Sequence, residues 1–185
     1  MVFHAPQIEI LPCTDLLEAR YQKYATKYSS ATKFLQAAFG VIDRASGDMP
    51  DVLSAMYNAH SAVSFDDNNN ALGLWYAEKF KEAQDGTYAE TSVETTKYAV
   101  AYSELGMAHV LNGHSTDDVM QLFEKSGQIR QRLPGFEKVN LFNVLRGKAY
   151  VHALRGELGE AFNYLSVALQ EREDEYGRDD ERGGR

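Results

Sequence analysis

The sequence contains a single cysteine, Cys13, among its 185 residues. One cysteine cannot form an internal disulfide, and alone it cannot supply a cysteine-ligated metal site. Cys13 follows Ile-Leu-Pro and has no basic neighbour that would favour a thiolate. We therefore expect no catalytic cysteine, and the low cysteine content is typical of a reducing, cytoplasmic compartment.

The chain also has no excess of basic residues and no long apolar run. Nineteen Lys and Arg residues stand against 27 Asp and Glu residues, which gives a net charge of -8. This charge disfavours binding to a phosphate backbone or to an anionic membrane surface. No apolar run approaches the roughly 20 residues of a membrane span, and the N-terminus does not resemble a signal peptide. We expect no nucleic-acid partner, no membrane segment and an intracellular protein.

Proline and strand-like patterns are scarce as well. Only four prolines occur, so long stretches can continue without a break. Apolar residues recur at intervals of three and four, as in Leu158, Ala161, Phe162, Leu165 and Leu169. Sustained two-residue alternation of β-branched residues is hard to find. With 44% hydrophobic residues to build a core, the sequence predicts an all-α fold in one domain.

Turn and capping signals divide the chain into about eight helices. These are predicted near residues 14–27, 30–46, 50–64, 70–85, 92–112, 116–131, 138–155 and 158–175. Because short turns join them in pairs, we expect four antiparallel hairpins, near 14–46, 50–85, 92–131 and 138–175. They form one helical-repeat domain over 14–177, between an N-terminal extension at 1–13 and a polar tail at 178–185.

A repeated triplet of small, large and small residues links these hairpins. Val119, Phe123 and Ser126 recur 42 residues later as Ala161, Leu165 and Ala168. Two further copies precede them, one at Ala31, Leu35 and Ala38 and one, with the sizes reversed, at Gly73, Ala77 and Phe80. The copy at Gly73 lies 46 residues before Val119, which is more than the 42-residue spacing of the later copies. We place the additional residues in a loop at residues 85–88. The pattern predicts a stack of similar hairpins.

The motif Tyr102-x2-Leu105-Gly106-x2-His109-x3-Gly113, followed by the Val119 triplet, resembles the tetratricopeptide repeat. The Gly156-Glu157-Leu158-Gly159-Glu160-Ala161 turn and the 42-residue period resemble kinesin-light-chain-like members, including many from filamentous fungi. This resemblance implies an α-α superhelix of about four hairpins, with a right-handed twist. His109 replaces the usual Tyr, and Tyr150 lies two residues further from its glycine than His109 does, which leaves the helix register near 138–155 open.

The resemblance also implies a non-catalytic scaffold that binds a peptide or helix of a partner protein in the concave groove of the array. The predicted groove residues are Val100, Ser103, Glu104, Met107 and Leu111, with Ser54 and Asn58 before them and Asn143, Arg146 and Tyr150 after them. This mixture favours an apolar or amphipathic segment, and the net charge with Glu104 favours a basic flank on it. Packing of Met107 and Leu111 on the neighbouring hairpin stays open as an alternative, and so does self-association.

The sequence shows none of several common catalytic motifs. None of the five histidines has a Glu three residues before it, and no phosphate loop or Gly-x-Ser-x-Gly occurs. We expect neither a metal nor a cofactor. The second interpretation is an α-helical enzyme or small-ligand protein with a pocket of Trp75, Tyr76, His109 and His152. An enzyme would need a His–carboxylate pair within about 3 Å in an open pocket.

Overall fold

The computed structural model describes residues 50–136 and 138–177, together with Ala37. The predicted extension at 1–13, most of the hairpin at 14–46 and the tail at 178–185 lie outside the described residues. The described residues form six α-helices, a short 3-10 turn at Lys138–Leu141 and no strand. The helices are α1 (Pro50–Asp66), α2 (Asn70–Thr91), α3 (Thr96–Leu111), α4 (Asp117–Arg132), α5 (Phe142–Leu154) and α6 (Leu158–Tyr176). The predicted all-α class is confirmed.

Helices α2 and α3 begin where a side chain accepts a hydrogen bond from a free backbone amide of the first turn. The Asn69 side chain accepts a hydrogen bond from the Leu72 amide at 3.3 Å, before α2. The Thr95 side chain accepts one from the Tyr98 amide at 3.1 Å, before α3. Asp117 lies in the first turn of α4, where negative charge offsets the helix dipole. Polar residues at the predicted helix starts thus determine where these helices begin.

The end of α2 differs from the sequence prediction. The helix continues through Gly86 to Thr91, six residues beyond the predicted end at 85. A single glycine costs a helix only about 1 kcal/mol relative to alanine, and an ion pair from Lys81 to Asp85 spans the preceding turn. Ser92, with φ of 56°, ends the helix. The extra residues between the second and third triplets therefore lengthen a helix and do not form a loop.

The six helices stack as successive hairpins. α1 packs on α2, α3 on α4 and α5 on α6, while α2 contacts α3 and α4 contacts α5 across the hairpin boundaries. The first helices of successive hairpins, α1, α3 and α5, also contact their neighbours. Among the described residues, the hairpin α1–α2 makes no contact with the hairpin α5–α6. The arrangement is an open array and not a closed bundle. Three of the four expected hairpins are described.

Phe123 of α4 lies at the centre of the array and is completely buried. Its ring packs against Gly106 of α3 and Gly147 of α5, where only hydrogen atoms project from the Cα. Val144 and Val151 of α5 belong to the same buried cluster. The large residue of the repeated triplet therefore contacts the first helix of its own hairpin and that of the next.

Two equivalent turns settle the register of α5. His109 Nδ1 lies 3.1 Å from His114 Nδ1 at the end of α3, and His152 Nδ1 lies 2.5 Å from Glu157 Oε2 at the end of α5. Each histidine precedes by four residues a glycine with φ near 80°. His152 is therefore the counterpart of His109, 43 residues later, because a left-handed glycine fixes where each helix ends.

Candidate functional site: the groove face

The candidate site is the side of α3 that points away from its hairpin partner. Leu105 and His109 line a cavity of about 390 Å³ together with Asp118 and Leu122 of α4. Helix geometry places four other residues on the opposite side of α3. We name this surface the groove face and define it by Val100, Glu104, Met107 and Leu111 of α3 with Asn143, Arg146, Tyr150 and Leu154 of α5.

The groove face exposes three large apolar side chains. Leu111 is 43% exposed, Tyr150 41% and Leu154 48%. The Leu111 carbonyl accepts a hydrogen bond of 2.8 Å from Asn70 Nδ2, which ties this end of α3 to the start of α2. Met107 is partly buried and packs against the Phe123 cluster. Packing against this cluster therefore accounts for Met107, while Leu111 is exposed.

Two predicted groove residues lie inside the helix packing. Ser103 is only 4% exposed, and its hydroxyl donates a hydrogen bond of 3.0 Å to the Val100 carbonyl. Ser54 is 2% exposed and accepts a hydrogen bond of 2.6 Å from Gln84 Nε2. These small side chains are covered by the packed helices, so neither hydroxyl belongs to the groove face. Asn58, on α1, is partly exposed.

The groove face carries charges of both signs. Burial lowers the pKa of the Arg130 guanidinium, and the negative charge of the Glu104 carboxylate opposes this lowering. On α5, the Arg146 guanidinium lies 5.8 Å from the centre of the Phe142 ring. Glu104 is therefore not an isolated negative charge on this surface. Glu104 itself therefore favours a basic flank on a ligand less than the sequence suggested.

Leu154 is the groove-face residue that the sequence analysis missed. It is the counterpart of Leu111, 43 residues later, on the register that the two glycine turns define. The same offset relates Asn143 to Val100 and Tyr150 to Met107. Aligning the glycines at the ends of the helices, in place of the aromatic residues, would have found Leu154.

The residues of the alternative pocket, apart from the neighbours Trp75 and Tyr76, make contacts in different parts of the array. Trp75 packs edge-on against Tyr76 at 4.9 Å, and Tyr76 stacks on His60 at 4.6 Å. His152 stacks on Tyr164 of α6 at 5.3 Å. His109 lines the cavity beside α4, and none of the other three residues lines it. None of these contacts brings the four side chains together.

A His–carboxylate pair in the described part of the chain meets the distance criterion for acid–base chemistry. It joins His152 to Glu157 across the turn between α5 and α6. The same place in the preceding hairpin holds the contact between His109 and His114. The recurrence indicates a contact that fastens the turn. Within the described residues, no group of three or more His, Cys, Asp or Glu side chains could hold a metal ion.

The comparisons with known proteins agree with the architecture. No protein-family profile matches the chain, and no curated protein matches it. A solved structure does match, described as a kinesin light chain with nearly identical TPR-like repeats from Podosopora anserina. The two share 14% sequence identity with a TM-score of 0.63, over 91% of this chain and 79% of that one.

The stacked hairpins and this match define a helical-repeat protein with the TPR-like fold. The predicted resemblance to kinesin-light-chain tetratricopeptide repeats is confirmed at the level of the fold. Folds of this kind serve in general as scaffolds for protein interactions. No helix in the described ranges is both long enough and apolar enough to traverse a bilayer.

Proposed function

We propose that the protein is a non-catalytic cytoplasmic scaffold that binds a peptide or helix of a partner protein at the groove face. The observation that carries this proposal is the exposure of Leu111, Tyr150 and Leu154 on corresponding sides of two contacting helices, α3 and α5. Repeat arrays bind extended or helical ligands along the surface that their first helices line. Exposed leucine and tyrosine side chains at such a surface are suitable anchors for a partner.

The ligand we propose is an apolar or amphipathic segment. Tyr150 and Leu154 lie four residues apart on α5 and so form one continuous apolar strip along that helix. Asn143 and Arg146 lie beyond one end of this strip and can donate hydrogen bonds to backbone carbonyls of a ligand. A basic flank on the ligand would gain from the net charge of -8 through long-range steering, and less from Glu104 itself.

Site-specific photo-crosslinking in the source cells tests this proposal. A photoreactive phenylalanine analogue replaces Tyr150, and in a matched variant it replaces Gln121, an exposed residue of α4 beside Tyr102. We expect a discrete protein adduct from position 150 and none of the same mass from position 121. Adducts that are identical from both positions, or an adduct from position 121 alone, would overturn the proposal.

A further inference from the structure

A cleft of about 390 Å³ lies between α4 and α5. Two of its lining residues, Phe123 and Val144, are buried. Gly127 of α4 contributes no side chain to the cleft, and a Cβ added there would lie 3.5 Å from Val144, which is ordinary van der Waals contact. We name this cleft the slot and define it by Phe123, Gly127 and Gln131 of α4 with Leu141, Leu145 and Lys148.

The slot has a counterpart between α2 and α3, because the hairpins repeat. Residues of α2 lie 46 positions before their counterparts on α4, as the repeated triplets show. Residues of α3 lie 43 positions before theirs on α5, as the two glycine turns show. The counterparts of Gly127, Gln131, Leu141, Leu145 and Lys148 are, in the same order, Lys81, Asp85, Tyr98, Tyr102 and Leu105.

The side chain of Lys81 fills the counterpart of the slot. Its Nζ lies 4.0 Å from the centre of the Tyr102 ring and 5.5 Å from the centre of the Tyr98 ring. It donates a hydrogen bond of 2.5 Å to Asp85 Oδ1, and the Lys81 side chain is only 12% exposed. One boundary of the array therefore holds an elongated aliphatic chain with a charged end, where the next boundary has a glycine.

The slot is also less negative than its counterpart. Two acidic residues of α2, Glu82 and Asp85, are replaced by glutamine at the corresponding positions of α4. An apolar residue of α3, Leu105, is replaced by Lys148 on α5. The counterpart holds a cation among carboxylates. Because the slot has two fewer carboxylates and one more ammonium group, its charge favours an anionic occupant.

Lys148 is placed to bind an acceptor in the slot. Its Nζ lies 3.7 Å from Glu124 Oε1, which is beyond the distance of a normal hydrogen bond. The Glu124 side chain is half exposed, so water weakens this ion pair. The Lys148 side chain is 17% exposed, and its Nζ lies 5.8 Å from the centre of the Tyr164 ring. An ammonium group in such surroundings attracts an anion more strongly than one in open water does.

We propose that the slot binds a small amphiphilic carboxylate, with the carboxylate at Lys148 and an unbranched apolar chain beside Gly127. Leu141 and Lys148 are seven residues apart, which corresponds to about 10 Å along the helix axis. A saturated chain of roughly eight carbons has a similar length. Lys148 lies on a different side of α5 from Tyr150. The site is therefore separate from the groove face, and the proposal does not depend on the groove.

Octanoate is the probe, and isothermal titration calorimetry with the full chain measures its affinity. We expect saturable binding at one site per chain. Octanol, which has the same chain and no charge, should bind about tenfold more weakly, because it cannot form a charge-assisted hydrogen bond with Lys148.

A leucine at position 127 tests the location of the apolar chain. We expect Gly127→Leu to abolish octanoate binding, because the new side chain fills the slot as Lys81 fills its counterpart. The same variant should melt at a higher temperature than the parent, since leucine is the better helix former. Gly86→Leu is the matched control, because Gly86 is also helical and an added Cβ there would meet no atom within 4 Å. It should bind octanoate within about twofold of the parent.

Substitution of the ammonium group tests the position of the carboxylate. We expect Lys148→Met to weaken octanoate binding by about tenfold and to leave octanol binding nearly unchanged, because methionine keeps the apolar stem and removes the charge. Lys125→Met, at an exposed lysine of α4, is the matched control and should have little effect. Glu124→Gln should strengthen octanoate binding, because it removes the carboxylate nearest to Lys148. Circular dichroism confirms that each variant remains folded.

Four results would overturn the proposal. Absence of saturable octanoate binding to the parent chain would exclude the ligand class. Equal affinity of the parent and Gly127→Leu proteins would exclude the slot as the site. Equal affinity of the parent and Lys148→Met proteins would remove the role of the ammonium group. Loss of binding in Phe162→Asn, at an exposed apolar residue of α6, would place the apolar chain on that helix. None of these results bears on the groove face, so the two proposals fail independently.

Discussion

The ring of Phe123 fills the space into which a side chain on Gly147 would project, so that a Cβ at this position would overlap the ring. The same ring lies against Gly106 on α3, where an added Cβ would be 2.9 Å from Cζ. One buried aromatic residue thus holds two first helices close together. The contact explains why both positions are glycine, although glycine is unfavourable within helices.

Substitution of Gly147 by Ala should destabilise the protein. The added methyl group must displace Phe123 or separate α4 from α5, and we expect the free energy of unfolding to fall by about 1–3 kcal/mol. Gly106→Leu should cost about the same through overpacking against the same ring. Denaturant titrations followed by circular dichroism measure both changes.

Gly86→Ala is the matched control for these glycine substitutions. Gly86 also lies within a helix, but an added Cβ would meet no described atom within 4 Å. The free energy of unfolding should rise by about 0.5–1 kcal/mol, because alanine is the better helix former. In addition, Phe123→Leu should reduce the cost of Gly147→Ala, since it shortens the obstructing side chain. A loss at Gly147 that is no larger than the change at Gly86 would contradict the packing described.

Because Gln84 and Ser54 share a buried hydrogen bond, we expect substitutions at the two positions to have coupled effects on stability. Ser54→Ala removes the acceptor and leaves the Gln84 amide without it, at positions that are 2% and 3% exposed. We expect the free energy of unfolding to fall by about 1–3 kcal/mol.

The double variant Ser54→Ala with Gln84→Leu should recover much of this loss, because no amide is then left buried without its partner. Ser166→Ala on the exposed side of α6 is the control and should change stability by less than about 0.5 kcal/mol. If the two single substitutions prove additive in the double variant, the buried hydrogen bond does not contribute as described.

Because of His109, we expect the free energy of unfolding to decrease on mild acidification. Burial, and next the neighbouring His114, lower the pKa of His109, while the Glu78 carboxylate partly opposes them. In the unfolded chain its pKa is near the ordinary value of about 6.5. Between the two pKa values the unfolded state binds more protons, so the free energy of unfolding decreases as pH falls below about 6.5. The decrease ends once the pH is below the pKa in the folded state.

Thermal melts of the parent and the His109→Gln proteins between pH 7.5 and 5, values chosen to bracket the ordinary histidine pKa, measure this effect. The parent should lose more stability on acidification than the variant. His114→Gln should move the pKa of His109 toward its ordinary value, which proton NMR of the imidazole follows directly. Parallel pH profiles for the parent and His109→Gln would contradict a lowered pKa.

Much of the fold follows from sequence periodicity, and the remainder depends on features that are invisible along the chain. The spacing of Val119, Phe123 and Ser126 predicted the buried side of α4, because every third or fourth residue faces the same neighbour. The continuation of α2 through Gly86 was not predicted, since glycine ends helices in some contexts and is tolerated within them in others.

The exposure of the predicted groove residues followed from the sequence only in part, for a related reason. Helix spacing placed Leu111 and Tyr150 on an accessible side, where the structure has them. It could not reveal that Ser103 is buried, or that Gln84 contacts Ser54 from 30 residues away. Those facts depend on distances between helices, which the sequence does not encode locally.

The most direct test of the scaffold function is the affinity of the partner identified by crosslinking for variants of the groove face. We predict that Tyr150→Ala and Leu154→Ala each weaken binding of this partner by about tenfold, and that Glu104→Lys changes its affinity measurably, in proteins that melt as the parent does. Gln121→Ala, on α4, should bind as the parent does. Unchanged affinity in all three groove-face variants would contradict binding at the groove face.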